Sequence, residues 1–223
     1  MRKCFLVLTL LLVIASCKKV DAPAEDQFNL CFETPQPIKD SELSKIPNKF
    51  IGLFMDADSN YIDISENIIL KEHYYKFKFH KNLSDSLKTE FDLVDNHYVS
   101  KLNKDVYDCR YIGDSIEFSN KQIDTFFIFS NTEKAKRFNG QLVLNYKDSI
   151  FWKVKSIRLE NNILKITCLN SKEDLRRMDS LTKMKSKAID TITFVSRTSR
   201  NEFKRILNLK KIGWELDYKR VIK

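Results

Sequence analysis

The side chains with the strongest chemistry are few and widely spaced. The chain holds three histidines, His73, His80 and His97. His73 and His80 stand seven apart, which turns them to opposite faces of one regular strand, and no His-Glu-x-x-His run occurs. A zinc site is therefore not expected. Asp56-Ala57-Asp58-Ser59-Asn60 starts like a calcium loop, with oxygen ligands at positions 1, 3 and 5. Position 6 is Tyr61 where such a loop needs Gly, and position 12 is Asn67 where it needs Glu. A polar hairpin turn is the better reading. With only four Gly, the chain has no Gly-x-Ser-x-Gly elbow, Walker loop or dinucleotide fingerprint. Asp and Glu number 30, yet no spacing marks a catalytic pair. These patterns nominate no catalytic residue, no metal ligand and no cofactor.

The N-terminus carries a clearer signal. Met1 is followed by Arg2 and Lys3, then by an apolar run from Phe5 to Ala15 broken only by Thr9. Those eleven residues, at 1.5 Å rise each, are too short to cross a ~30 Å hydrocarbon core. A basic start, a short apolar centre and small residues at the exit make the layout of a secretory signal. The exit reads Ile14-Ala15-Ser16-Cys17. Small residues at 15 and 16 let a peptidase approach the backbone, and Cys17 offers a thiol just past the cut. Residues 1–17 resemble a bacterial lipoprotein signal peptide, and Ile14-Ala15-Ser16-Cys17 is similar to the lipobox, with Ile14 where that family most often has Leu. The resemblance implies cleavage between Ser16 and Cys17, diacylglycerol on the Cys17 sulfur and acylation of the new amine. It covers under a tenth of the chain. It places the mature protein on a membrane of the bacterial cell envelope, periplasmic or outward facing. Several acyl chains at ~0.8 kcal/mol per buried methylene would hold it there firmly.

Under this resemblance Cys4 leaves with the signal and Cys17 carries lipid, so Cys31, Cys109 and Cys168 remain. The envelope permits disulfides. Cys168 is in phase with Leu164 and Ile166 and reads as a core thiol. Cys31 and Cys109 are then the candidate pair, one that would pin the N-terminal segment to the folded body. No Cys-x-x-Cys spacing exists.

Charge is lopsided along the chain. The 223 residues carry 39 Lys+Arg and 30 Asp+Glu, a net charge of +9, with 43% hydrophobic residues. That balance is globular and excludes a wholly disordered chain. Removing residues 1–16 takes away Arg2 and Lys3 and leaves +7. Residues 17–133 hold 14 basic and 21 acidic side chains, whereas residues 134–223 hold 23 and 9. The basic excess decorates two expected late helices: Arg176, Arg177, Lys183, Lys185 and Lys187 on the first, and Arg200, Lys204, Arg205, Lys210 and Lys211 on the second, which is expected to end before Gly213. Two readings stand: solvated helix faces, or a surface for an anionic partner formed by Arg176, Arg177, Lys183, Lys187, Arg200, Lys204 and Arg205. At the envelope no nucleic acid is in reach. The partners are then an acidic protein, an acidic glycan or a lipid head group, bound through charges that screen over ~8–10 Å.

The elements that must position these residues are mostly strands. All four prolines, at 23, 35, 37 and 47, fall in a polar stretch that reads as a tether over residues 17–47. Within it Phe28, Leu30 and Phe32 alternate like a short edge strand. From residue 48 to 223 one globular domain is expected. Phe50 to Met55, the alternating Tyr75, Phe77 and Phe79, Ile123 to Phe129, the alternating Leu142, Leu144 and Tyr146, Ile189 to Val195, and the alternating Trp214, Leu216 and Tyr218 read as strands. Trp152–Leu159 and Leu164–Cys168 flank Glu160-Asn161-Asn162 as a hairpin. Asn82–Phe91 predicts a short helix. Ser171 caps a helix with an apolar stripe of Leu175, Met178, Leu181 and Met184, running to about Lys185. Ser199 and Glu202 form a capping-box pair for another. The fold class is α+β: mostly antiparallel β, a curled sheet or partly open barrel of hairpins, with two or three helices, two of them in the C-terminal third.

Three functions fit. The first is a lipid-anchored, non-enzymatic binding or structural domain of the cell envelope. The second is an immunity-type lipoprotein that neutralises an incoming toxin at the membrane. The third is an envelope hydrolase with an unmarked carboxylate pair, which would need a deep cleft with two close carboxyl groups.

Overall fold

The computed structural model describes residues 28–221. Ser16, Cys17 and the first part of the expected tether lie outside these residues. The chain is an antiparallel-rich α+β fold, as expected. Its first half runs β1 (Asn29–Phe32), β2 (Gly52–Met55), β3 (Tyr61–Ile64), β4 (Ile68–His80), α1 (Ser84–Glu90), β5 (Phe91–Val94), β6 (His97–Ser100), β7 (Val106–Ile112) and β8 (Ser115–Ile128). The second half runs β9 (Glu133–Phe138), β10 (Gln141–Asp148), β11 (Phe151–Glu160), β12 (Ile163–Cys168), α2 (Lys172–Leu181), β13 (Lys187–Ala188), β14 (Thr193–Ser196), α3 (Arg200–Leu207) and β15 (Trp214–Arg220).

One continuous sheet follows the order β13-β14-β1-β11-β12-β15-β2-β3-β4-β8-β7-β6-β5, with β10 on the other edge of β11 and β9 beyond it. Most reversals are tight. Asp95-Asn96, Asn139-Gly140 and Asn161-Asn162 take positive φ at both positions, the geometry whose twist matches the strands on either side. The sheet curls without closing. Its concave side encloses the main core, in which Phe54, Ile62, Ile69, Phe127, Leu142, Leu144, Ile157, Leu164 and Tyr218 meet.

β10 is buried on both faces. Leu142 and Leu144 face that main core, whereas Val143 faces a second one, made with Leu30, Phe32, Phe138, Val154, Met178, Phe203, Ile206 and Ile212. α2 and α3 roof this second core: the Ser199–Glu202 capping box forms as expected, and the expected Ser171 cap forms a full box with Asp174, each serine hydroxyl accepting from the backbone N–H three residues on. Asp174 also accepts from Gly213 N–H at 2.6 Å and so ties α2 to the α3–β15 connector. Gly213 has φ +72°, and a Cβ there would stand 2.6 Å from the Cys168 carbonyl oxygen, so only glycine fits. α2 stops at Leu181, earlier than its stripe suggested, and Met184 is exposed.

The distal halves of β4 and β8, with β5–β7 and α1, form an arm with its own aromatic core. Phe77 stacks on Phe118 with 5.2 Å between ring centroids, and Phe91, Tyr98 and Tyr107 close around them. Such ring pairs add to the burial of area alone.

Two expectations are corrected. Residues 28–47 are not a tether. β1 pairs in parallel with β14 and antiparallel with β11, which makes it an interior strand, and Phe32, Ile46 and Phe50 are fully buried. The folded domain therefore starts before residue 48. Ile189 to Val195 is not one strand: β14 begins at Thr193, and Ile189 and Ile192 are exposed in the turn from β13. Asp190 holds that turn by accepting from Ile192 N–H and Thr193 N–H.

Phe32→Ala tests the interior placement of β1. Deleting a fully buried phenyl ring is expected to lower unfolding stability by about 3–5 kcal/mol in urea denaturation. A tether residue would move it by no more than about 0.5 kcal/mol.

Candidate functional site

The expected basic surface is largely consumed by structure. Arg176 grips Glu173 through two hydrogen bonds of 2.9 Å, and Arg177 bonds the same carboxylate at 2.7 Å. These bonds hold the Glu173 carboxyl down to about 2. Arg177 also donates to the carbonyls of Lys210 and Lys211 and so braces the connector after α3. Arg200 makes a two-pronged pair with Asp40, at 2.5 and 3.0 Å. Arg205 donates to the Leu181 carbonyl and joins α3 to α2. Of the seven nominated residues, Lys183, Lys187, Lys204 and Arg205 have no carboxylate within ion-pair distance among the described residues, and only Arg205 of these is held by a helix-end carbonyl through its side chain. The arginines fasten elements together, because a planar guanidinium matches carboxylates and helix-end carbonyls in a way that ammonium does not.

The expected disulfide is also corrected. Cys31, Cys109 and Cys168 are all free thiols. Cys31 sits in β1 beside the helical roof and Cys109 in β7 on the arm, with seven strands of the sheet path between them. Cys168 packs against the main core, as its phase predicts, and burial raises its thiol pKa. The Asp56 loop is a turn: its carboxylate accepts from Asp58 N–H and Asn60 N–H, each at 2.9 Å. Its oxygens thus cap backbone donors. Among the described residues no three His, Cys, Asp or Glu side chains gather as metal ligands.

A cleft of about 650 Å³ opens where the α3–β15 connector passes over β11, β12 and β15. In its floor Arg158 bonds Glu215 directly, and Glu160 lies 3.8 Å from the same guanidinium. Thr167 donates to Glu215 at 3.3 Å. These groups come from three neighbouring strands and meet only through the register, in which Thr167 faces Glu215 across β12 and β15. Lys49, Lys210 and Lys211 complete the lining, so four cations face two carboxylates. Lys49 donates to the Gly140 carbonyl. Its ammonium pKa is lowered, first by burial and then by Arg137. Gln141 is buried in the wall, and its side-chain oxygen has no partner. The arrangement can hold an anionic, hydrogen-bonding group. Both carboxylates contact the one Arg158 guanidinium.

Sequence reasoning missed Arg158, Glu215 and Gln141. Arg158 and Glu215 are separated by 57 positions, and only a correct β11-β12-β15 register brings them together. It found Lys210 and Lys211 as part of a basic run. Comparison of the chain with family models, with curated proteins and with solved structures finds no match.

Glu202 supplies a pH test of the roof. Its carboxylate accepts from the Ser199 hydroxyl and backbone N–H and from Lys183 N–H, and these bonds lower its pKa. A depressed folded-state pKa gives stability that is full above the unfolded value near ~4.3 and is lost as pH falls below it. Glu202→Gln should therefore melt below the parent at neutral pH, with the gap narrowing between roughly pH 4.5 and 3. A gap that stays constant over that range would contradict the capping role.

Proposed function

We propose that this protein is a lipid-anchored, non-enzymatic binding domain of the bacterial cell envelope, moored through acylated Cys17, which holds an anionic partner in the cleft beneath the α3–β15 connector. The observation that carries the reading is the charge of that cleft. Lys210 and Lys211 have no carboxylate within reach among the described residues, and the floor guanidinium is already matched by Glu215. The excess is positive, in a concavity rather than on a flat face. A concave site suits a segment of an acidic glycan or an acidic protein better than the plane of a bilayer. Convergent polar groups in such a concavity are the usual form of a binding site.

The anchor agrees with the geometry of the folded part. From Cys17 to Asn29, where β1 begins, twelve residues at ~3.3 Å each reach at most ~40 Å. An anchor at Cys17 would thus hold β1 within about 40 Å of the membrane.

Two measurements test the proposal. Palmitate feeding should label the parent protein and leave Cys17→Ser unlabelled and released from membranes; label on Cys17→Ser would contradict the anchor. For the cleft, the mature chain is titrated with acidic polysaccharide, acidic peptide and anionic vesicles at low salt. Replacing Lys210 and Lys211 with Gln should weaken binding by roughly twofold to thirtyfold, as expected for two exposed charges worth ~0.2–1 kcal/mol each. Added salt should weaken the parent in the same direction. Binding unmoved by the substitutions would reject this cleft, and preference for vesicles would replace the polymer reading with a head-group one.

A further inference from the structure

A second cleft, of about 530 Å³, lies at the opposite end of α3, between the loop carrying the cis Gln36–Pro37 bond and the stretch from Ser196 to Thr198. Six buried side-chain polar atoms among the described residues have no hydrogen-bond partner, and three belong to residues lining this cleft. They are Gln36 Oε1, Ser196 Oγ and Thr198 Oγ1. Gln36 and Ser196 are each 1% exposed and Thr198 is 4% exposed. Buried polar groups are satisfied almost everywhere in folded proteins, so three orphans at one concavity require a cause. These atoms are nearly closed to bulk solvent in the free protein. A ligand group that reaches them therefore makes its bonds with little further desolvation of the protein.

The charges around the cleft are matched within the protein. Lys134 pairs with Glu42 at 2.7 Å and lies over the Trp152 ring at 5.7 Å. Arg197 pairs with Glu33 at 3.5 Å. Lys136 is buried and donates to the Pro35 and Pro37 carbonyls, at 3.2 and 2.8 Å. Lys39 and Lys136 have no carboxylate within ion-pair distance among the described residues; Lys136 is held by the two carbonyls instead, and Lys39 is exposed. The unmet demand inside is thus neutral: one amide oxygen that only accepts, and two hydroxyls that both give and take. Trp152 adds an apolar wall. The volume lies within the range of small-molecule sites.

We infer that this cleft is a binding site for a neutral saccharide unit, whose hydroxyls pair with Gln36, Ser196 and Thr198 beside Trp152. A hydroxyl-rich ligand supplies a donor for Gln36 Oε1 and a combined donor and acceptor for each side-chain hydroxyl. An ionic ligand would find Lys134, Lys136 and Arg197 already engaged and only Lys39 free among the described lining cations. The site is separate from the basic cleft at the other end of α3 and does not depend on the function assigned there.

The test reads Trp152 fluorescence. The chain has two tryptophans, and Trp214 is exposed, so Trp214→Phe leaves Trp152 as the single reporter. The mature Trp214→Phe protein is titrated with glucose, galactose, mannose, N-acetylglucosamine and maltose, and with glucuronate and inorganic phosphate as charged controls. The expected result is a saturable shift with at least one neutral sugar, at a Kd of about 1 mM or tighter, equal at about 50 mM and about 500 mM salt. Adding the pair Ser196→Ala and Thr198→Val should weaken it about tenfold, and so should Gln36→Met in a separate protein. The Ser196→Ala and Thr198→Val pair should keep the parent's melting temperature, because those hydroxyls bond to nothing among the described residues; Gln36→Met also removes the 3.1 Å bond from Nε2 to the Thr34 carbonyl and is titrated at a temperature where circular dichroism shows it folded. No shift with any neutral sugar would mean that the orphaned atoms hold ordered water only and would overturn the inference. So would a shift confined to glucuronate or phosphate and erased by salt, or sugar affinity unchanged in both variants.

Discussion

The fold depends on one buried exchange between distant parts of the chain. Asn145, in the doubly buried strand β10, is fully enclosed. Its side-chain oxygen accepts from Gln36 N–H at 2.6 Å, and its amide donates to the Gln36 carbonyl at 2.9 Å. One side chain thus replaces both hydrogen bonds that a strand neighbour would supply, across 109 positions of sequence. Lys136 adds its ammonium to the carbonyls on either side of Gln36. Backbone groups in an irregular segment must find partners once buried, and these two residues provide them. With the loop fixed, β1 enters the sheet between β11 and β14. That insertion completes the floor on which α2 and α3 rest, since Leu30 and Phe32 belong to the second core. α3 then ends in one cleft and begins beside the other.

The electrostatics follow from the same assembly. The basic excess of the second half is partly spent on joining elements: Arg177 and Arg205 brace helix ends, and Arg200 reaches back to Asp40 on the N-terminal loop. Lys210 and Lys211 stay unmatched at the connector after α3, as Lys183, Lys187 and Lys204 do elsewhere among the described residues. Positive charge in the sequence is thus a poor guide to positive charge on offer, because long-range pairing removes guanidinium groups before lysines. A cleft with two unpaired ammonium groups and a cleft whose buried amide oxygen and hydroxyls lack partners ask for different ligands, although both border one eight-residue helix.

Local features were legible in the sequence. Both serine caps, the Asn161-Asn162 hairpin, the core phase of Cys168 and the turn at Asp56 follow from interactions within a few residues, and the antiparallel-rich α+β class follows from their sum. Features set by distant pairing were not. Pro35, Pro37 and Pro47 have the composition of a linker, and nothing local reveals that Asn145 waits to satisfy Gln36. The alternation of Phe28, Leu30 and Phe32 was the one sign that this segment is buried, but it read as an edge strand because the parallel partner β14 lies over 160 positions away. Ile189 and Ile192 misled in the other direction, as apolar residues that β propensity favours but an Asp190 turn exposes. The Cys31–Cys109 pair failed because elimination among cysteines carries no distance. Of the two clefts, only Lys210 and Lys211 were visible beforehand. The rest of each lining depends on strand register.

The central claim is that the stretch from Phe28 to Phe50 is an interior part of one cooperative domain rather than a tether. Native-state hydrogen exchange tests it most directly. Leu30, Cys31 and Phe32 amides in β1 should exchange as slowly as those of β11, through global unfolding, with a protected Gln36 N–H beside them. Exchange of these amides at the rate of an open chain while β11 stays protected would contradict the account.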